Sequence, residues 1–451
     1  MNGAGKRPYG AGPEAIGLAL RLPASARPSS DALWVLLTAV WTAAGIVLYV
    51  VAPMTAPAVL GLAVVAPLAW CWAAEGRLPW TKPTAVFLAV ALASAYVLVN
   101  GTWSPSPAAA AATAALLLAA IAIVHITTTA LAHAPTRGLR TMGIGLLAGV
   151  AIAGLFLCLE LLSDQWMRRT LAAYHTAFWA GDRHMHVETG QVSYFEPYLL
   201  NRSVAALALT FWPGLLVLER LTLGPWQRNL LIGGLCLTPL AIVASEHGTS
   251  KMAFVGAAAV YGIGRISLRW ARRVVIAGWI AATMLVVPLA GLAYGAQAHL
   301  VPWFEYSVRH RIVIWKHAAD EIAKAPVLGA GLGTPRALHQ SGHEGVARAP
   351  GTNIPLSTPL HSHNAYLQVW YETGALGAAF LLLLGLLVLR AIGAMPARLQ
   401  HHFWAIFAAC ALLAASSFSI WAAWLISALA LTPIFAALGA ALYVPEEGEP
   451  A

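Results

Sequence analysis

Two alternating histidine pairs, His184/His186 and His361/His363, and a handful of cations set in oily sequence are the residues of this chain that could do chemistry. His363 stands near the start of the run HSHNAYLQVWYETGALG, where Asn364, Gln368 and Glu372 recur every fourth residue. On a helix that spacing lines them along one face. The run continues as apolar sequence up to Arg390, so the polar stripe enters a membrane span and must face protein or water. Such a stripe can serve only to hydrogen-bond helices together. Polar groups inside a membrane more often mark function, and an imidazole at the mouth of the stripe can act as a general base near neutral pH.

The cations point the same way. Arg202 opens one apolar segment, Lys251 opens another, and Arg309 and Arg311 lie in an amphipathic stretch between segments. Any one of them could anchor a helix end at lipid headgroups. Together on one side they suit a shared anion: arginine grips two phosphate oxygens and lysine acts as a point charge. A diphosphate carried on a membrane lipid fits that location. A metal is not expected, because the chain has no H-E-x-x-H, no cysteine beside the histidines and no D-x-D pair on that side. No other cofactor is implied. GAGLG (Gly329 to Gly333) follows a helical stretch and a proline, not a strand, so it reads as a hinge or tight turn and not as a phosphate cradle.

The elements that must position these residues are membrane helices. Of 451 residues, 59% are hydrophobic and 10% charged, against about 25% charged in a soluble domain. The expected fold is an all-α integral membrane protein with about 12 spans of roughly 20 residues each, plus amphipathic helices outside the lipid. Residues 1–30 read as a cytoplasmic tail. Residues 31–297 hold nine spans and an outer segment at 163–200, and 298–362 form a large outer loop with surface helices. Residues 363–444 hold three more spans, and 445–451 form a second cytoplasmic tail. Short loops near 53, 103 and 419 lack Lys and Arg, whereas loops on the other side are basic. That asymmetry places both termini in the cytoplasm and the histidine–arginine group outside. The net charge of +9 is thus a topology signal, and no nucleic-acid-binding pattern accompanies it. Cys71, Cys158, Cys236 and Cys410 all lie in apolar runs, so no disulfide framework is expected.

His363-Asn364, nine residues, Gly374, two residues and Gly377 resemble the H-N-x9-G-x-x-G pattern of bacterial O-antigen ligases, within the ligase–polymerase superfamily. Upstream, Arg311, Trp315, Pro326, Gly329, Gly331 and Gly333 resemble the family's R, W, P-x-x-G-x-G segment, and Ser250-Lys251 resembles its Ser-Arg start of a helix. Two positions depart from the pattern: Ala378-Ala379 replaces a threonine pair, and Lys251 replaces arginine. The resemblance implies a GT-C-like glycosyltransferase of the bacterial inner membrane, acting at its periplasmic face in lipopolysaccharide biosynthesis. Its donor would be a polysaccharide on undecaprenyl diphosphate and its acceptor the lipid A–core oligosaccharide, joined by metal-independent inverting transfer. His363 would be the base, and Arg311, Arg202, Lys251 and Arg309 would hold the diphosphate. Asn364, Glu372, His361 and Trp315 would support them. An O-antigen polymerase or a protein O-oligosaccharyltransferase shares the donor and differs in acceptor. A transporter of lipid-linked sugar is the reading from another class, but its repeated halves and midplane polar groups are missing here.

Overall fold

The computed structural model describes residues 31–174, 185–188, 191–341, 349–354, 359–416 and 418–443. Its helices are α1 (Asp31–Val51), α2 (Ala56–Ala63), α3 (Val65–Glu75), α4 (Ala85–Asn100), α5 (Pro107–His133), α6 (Thr136–Leu162) and α7 (Trp166–Tyr174). Then come α8 (Asn201–Arg220), α9 (Pro225–Ala244), α10 (Gly248–Ile266), α11 (Leu268–Met284), α12 (Val286–Gly295) and α13 (Tyr306–Lys324). The chain continues with α14 (Thr334–Gln340), α15 (Ala365–Gly393), α16 (Ala397–Ala415) and α17 (Ala423–Ala441).

Every segment expected to span the membrane is helical, but fewer than twelve qualify by length and composition. Among the described residues eight helices are long and apolar enough to cross, or nine if α11 and α12, bent by 70°, count as one. Pro288 explains that bend, because it has no N–H to offer the carbonyl of Met284. Helix α4 has only 16 residues. Helices α10 and α16 carry Lys251 and Arg265, and Arg398, His401 and His402, and they pack closely on each other. His401 and His402 are thereby buried in protein, where the cost of burial can be met by partners, while Arg265 and Arg398 stay exposed.

A second difference is a two-stranded antiparallel hairpin, β1 (Met185–Glu188) and β2 (Gln191–Phe195), in the outer segment of a chain expected to be all-α. Val187, Val192, Tyr194 and Phe195 supply the β-branched and aromatic content that favours a strand.

The most enclosed spans are α8 and α17, packed against each other, with α1, α5, α6 and α9 around them. Lipid tails are as apolar as leucine, so these helices hold together by close packing and hydrogen bonds. The α1–α6 crossing shows how: a Cβ on Gly149 would sit 2.8 Å from the carbonyl oxygen of Ala43. Amphipathic α13 lies on α12 and α15 through Ile322, Ala318, Leu367 and Tyr371. Its exposed face carries the Lys316–Asp320 pair.

Candidate active site

The segment before α15 is pinned at three places. Trp315 Nε1, on α13, donates to the carbonyl of Ser362 at 3.0 Å. Asn364 Oδ1 caps α15 by accepting from the N–H of Leu367 at 3.1 Å. His361 Nδ1 accepts the backbone N–H of His363 at 3.1 Å. Between these anchors His363 takes a left-handed backbone, φ +48°, a conformation uncommon outside glycine but several-fold enriched for histidine and asparagine. The two imidazole rings lie 4.1 Å apart.

This geometry divides the pair. With Nδ1 accepting an N–H, His361 carries its proton on Nε2. Burial first, then the charges of His363, Arg336 and Arg311, push its pKa down to about 3. His361 is therefore a neutral support for its neighbour. The sign of its pH dependence follows from that lowering. Folding favours the unprotonated ring, so its contribution is whole above the ordinary value near 6.5 and drains as pH falls toward 3. Hydrogen-exchange protection of residues 359–364 is expected to fall across that window. His361→Asn, which keeps an acceptor but does not titrate, should flatten the fall in part, because His247 is also lowered, to about 4.

Arg311 faces this group. Its Nη1 donates to Ser416 Oγ at 3.4 Å, and its charge bears on both His247 and His361. Ser416 also ties in α10, since Thr249 Oγ1 donates to the Ser416 carbonyl at 2.7 Å. Buried His247 shares a 2.6 Å hydrogen bond with Ser250 Oγ, and burial, with Arg311 beside it, keeps its ring neutral. Lys251, half-buried, follows directly in the first turn of α10. The first turn of α10, the end of α16 and Arg311 are therefore linked through a few contacts, and the charge of Arg311 reaches His361.

The other expected cations fare differently. Arg309 turns away: its Nε donates to the carbonyl of His299 at 2.9 Å, as expected for residues two apart on a helix. Arg202 is exposed in the first turn of α8 and has no hydrogen-bond or ion-pair partner among the described residues. Exposed Arg336, on α14, takes part instead, through its charge on His361. Its surroundings in the sequence carry no signal that marks it. Of the other histidine pair, His184 lies outside the described residues, and His186 is described only by its place in β1.

Glu372 does not reach His363. It is fully buried, nine residues further along α15. Its Oε1 accepts from Gln368 Nε2 at 2.7 Å, and its Oε2 accepts the N–H of Gly333. Gln368 Nε2 also donates to Ser419 Oγ at 3.0 Å. The polar stripe thus faces protein and holds the GAGLG turn. That turn is docked on a break in α15 at Gly374, φ +64° and ψ −163°. Ala330 N–H donates to the Tyr371 carbonyl at 2.9 Å and Gly331 N–H to the Glu372 carbonyl at 3.0 Å. Leu332 N–H donates to Asn100 Oδ1 at 2.8 Å. With these N–H groups engaged by protein, the turn is a rigid joint, neither a phosphate cradle nor a flexible hinge.

The group as a whole is cationic and sparsely acidic. Arg311, Arg336 and Lys251 surround two neutral histidines, and such a surface attracts anions. The only described cluster of His and Glu close enough to suggest a metal, Glu219, His401 and His402, lies elsewhere.

Residues 233–382 match the model of a family described as O-antigen ligase. The chain is 28% identical to a "Putative polysaccharide ligase" of Rickettsia conorii over 245 residues, 52% of this chain and 56% of that one. Proteins of the same name in Rickettsia felis and Rickettsia typhi are 25% and 26% identical, over 237 and 202 residues, covering 56% and 46% of their lengths and 52% and 43% of this chain. The chain thus spans about half the length of the curated relatives it matches. The family segment contains His247, Lys251, Arg311, Arg336, His361 and His363, and leaves out Arg202. By that segment this membrane protein is similar to the O-antigen ligase family.

Proposed function

We propose that the chain transfers a polysaccharide from undecaprenyl diphosphate to a sugar hydroxyl of lipid A–core, by metal-independent inverting displacement at the periplasmic face of the bacterial inner membrane. His363 takes the proton of the acceptor hydroxyl. The acceptor oxygen forms a bond to the anomeric carbon as the carbon–oxygen bond to the diphosphate breaks, and the diphosphate leaves with the electron pair. Arg311 meets the charge that grows on it, assisted by Lys251 and Arg336. A guanidinium or ammonium aimed at developing negative charge is worth most in a water-poor site. Arg202 enters this scheme only if the lipid donor reaches the start of α8, and Arg309 supports the site through the His299 carbonyl.

The single observation that carries the reading is that His363, held in its unusual backbone by His361, stands beside a ring on which the charges of Arg311 and Arg336 both bear. The test is incubation of the purified chain with lipid-linked donor and lipid A–core, with and without chelator. Product on lipid A–core, insensitive to chelation, is the expected result. Longer lipid-linked chains would identify a polymerase, and chelator loss restored by a divalent ion would overturn the metal-free mechanism.

Arg311→Ala is expected to lower kcat/KM by roughly a hundredfold, in line with loss of one charge-assisted contact to the leaving group. Arg311→Lys should recover only part of this, because the ammonium cannot grip two oxygens. Donor titrations of the three proteins check both points.

A further inference from the structure

We propose that the end of the bundle remote from His363 carries a binding site for a phosphate anion, borne on a lipid headgroup or free in solution. Helices α8, α10 and α16 each run from one end to the other. Thr249 and Ser416 meet near Arg311 at one end, while Glu219, Arg265 and His401 sit at the opposite ends of the same helices. At about 1.5 Å per residue the two places are on the order of 20 Å apart.

A cavity of about 450 Å³ opens there, lined by Arg220, Arg265, Arg398, His401, Glu219 and Ala397 among others. The acid in it is already answered: Glu219 Oε2 lies 3.0 Å from His402 Nε2, and Tyr261 OH donates to Glu219 Oε1 at 3.0 Å. Three guanidiniums remain as the character of the cavity. Arg265 has one group on Tyr261 OH at 3.4 Å, and Arg220 has one on the Arg398 carbonyl at 2.9 Å. Each guanidinium has five N–H donors, so on Arg265 and Arg220 those bonds leave donors for a ligand. His401 is nine-tenths buried, lines the cavity, and its Nε2 has no partner among the described residues. Helix α16 begins at Ala397, so its positive end also meets the cavity.

Glu219, His401 and His402 offer ligand atoms within 4.8 Å of one another, a set that by type could hold a divalent cation. A cation there would face the three arginines. An anion meets the arginines and the helix terminus together. Exposed Ile266, at the cavity rim, places the opening beside apolar surface, which gives a lipid headgroup access.

The test uses the full chain in phosphatidylcholine nanodiscs doped with phosphatidylglycerol, and separately titrated with inorganic phosphate. Wild type is compared with Arg265→Gln/Arg398→Gln, with Arg398→Lys and with Arg269→Gln, an exposed arginine outside the cavity lining. The double variant is expected to lose affinity at least about tenfold, as for two charge-assisted contacts. Arg269→Gln should match wild type, and Arg398→Lys, the variant least able to disturb folding, should fall between. Selective retention of phosphatidylglycerol in native mass spectra assigns the headgroup, and saturable phosphate binding without lipid preference assigns the free anion. Equal binding by all four proteins, or stoichiometric zinc in the purified wild type, would overturn the proposal.

Discussion

Replacing His363 by alanine is expected to leave a protein that inserts and folds but transfers no measurable sugar. General-base catalysis contributes about 10²–10⁴-fold, which corresponds to about 3–5 kcal/mol of barrier. No neighbour can substitute. The Nδ1 of His361 is engaged by the backbone of residue 363 itself, and His247 is bonded to Ser250 and faces Arg311. Alanine also strains the left-handed backbone, so two further variants separate the effects. His363→Asn suits that backbone and cannot act as a base at working pH, so it should be as inactive as alanine. His363→Gly relieves the strain and leaves a space, so added imidazole should restore part of the rate. Turnover by His363→Asn within tenfold of wild type would remove this residue as the base.

How far this arrangement was legible beforehand depended on whether its parts lie close in the chain. His361, His363 and Asn364 were found from spacing, since they sit in one short run whose polar residues interrupt apolar sequence, and Trp315 came from the family resemblance. His247, Arg336 and Ser416 come from three separate elements: the ends of α10 and α16 meet only in the fold, and Arg336 bears on His361 from α14. Ser416 is one of two serines ending an apolar run, a place where serine carries no signal. The cations Arg309 and Arg311 look equivalent in sequence, but helical rotation sends one to His299 and the other to Ser416. The spans were legible as apolar lengths, whereas their breaks were not. A proline marks the bend between α11 and α12, but Gly374 looks like any glycine in a membrane helix. What breaks α15 is a segment arriving from well upstream in the chain, and no local pattern announces it.

That break underlies the second large effect. In lipid, every backbone group must find a partner inside the protein. Interrupting α15 at Gly374 frees the carbonyls of Tyr371, Glu372 and Thr373, and each is answered: by Ala330 N–H, by Gly331 N–H and Asn100 Nδ2, and by Tyr96 OH at 2.8 Å. In return Ala375 N–H donates to the Pro326 carbonyl at 2.9 Å and Leu376 N–H to the Val327 carbonyl at 3.3 Å. The backbone of residue 374 lies in a region open almost only to glycine, which costs another residue about 1–3 kcal/mol. A Cβ there would overlap the carbonyl oxygen of Val327, backbone that cannot move without undoing the joint. With net hydrogen-bond values of about 1 kcal/mol each also at stake, Gly374→Ala is expected to cost several kcal/mol. Gly291→Ala is the control, because a Cβ there meets open space and the helix gains from alanine. Thermal unfolding in detergent and protease sensitivity of residues 326–333 measure the difference. Gly374→Ala should unfold well below wild type, open that segment to cleavage and lose transfer with His363 still in place, whereas Gly291→Ala should do none of these. If Gly374→Ala were as stable as Gly291→Ala, the joint would not be what fixes the far side of the His363 helix, and Glu372 would need another reason for being buried beneath it.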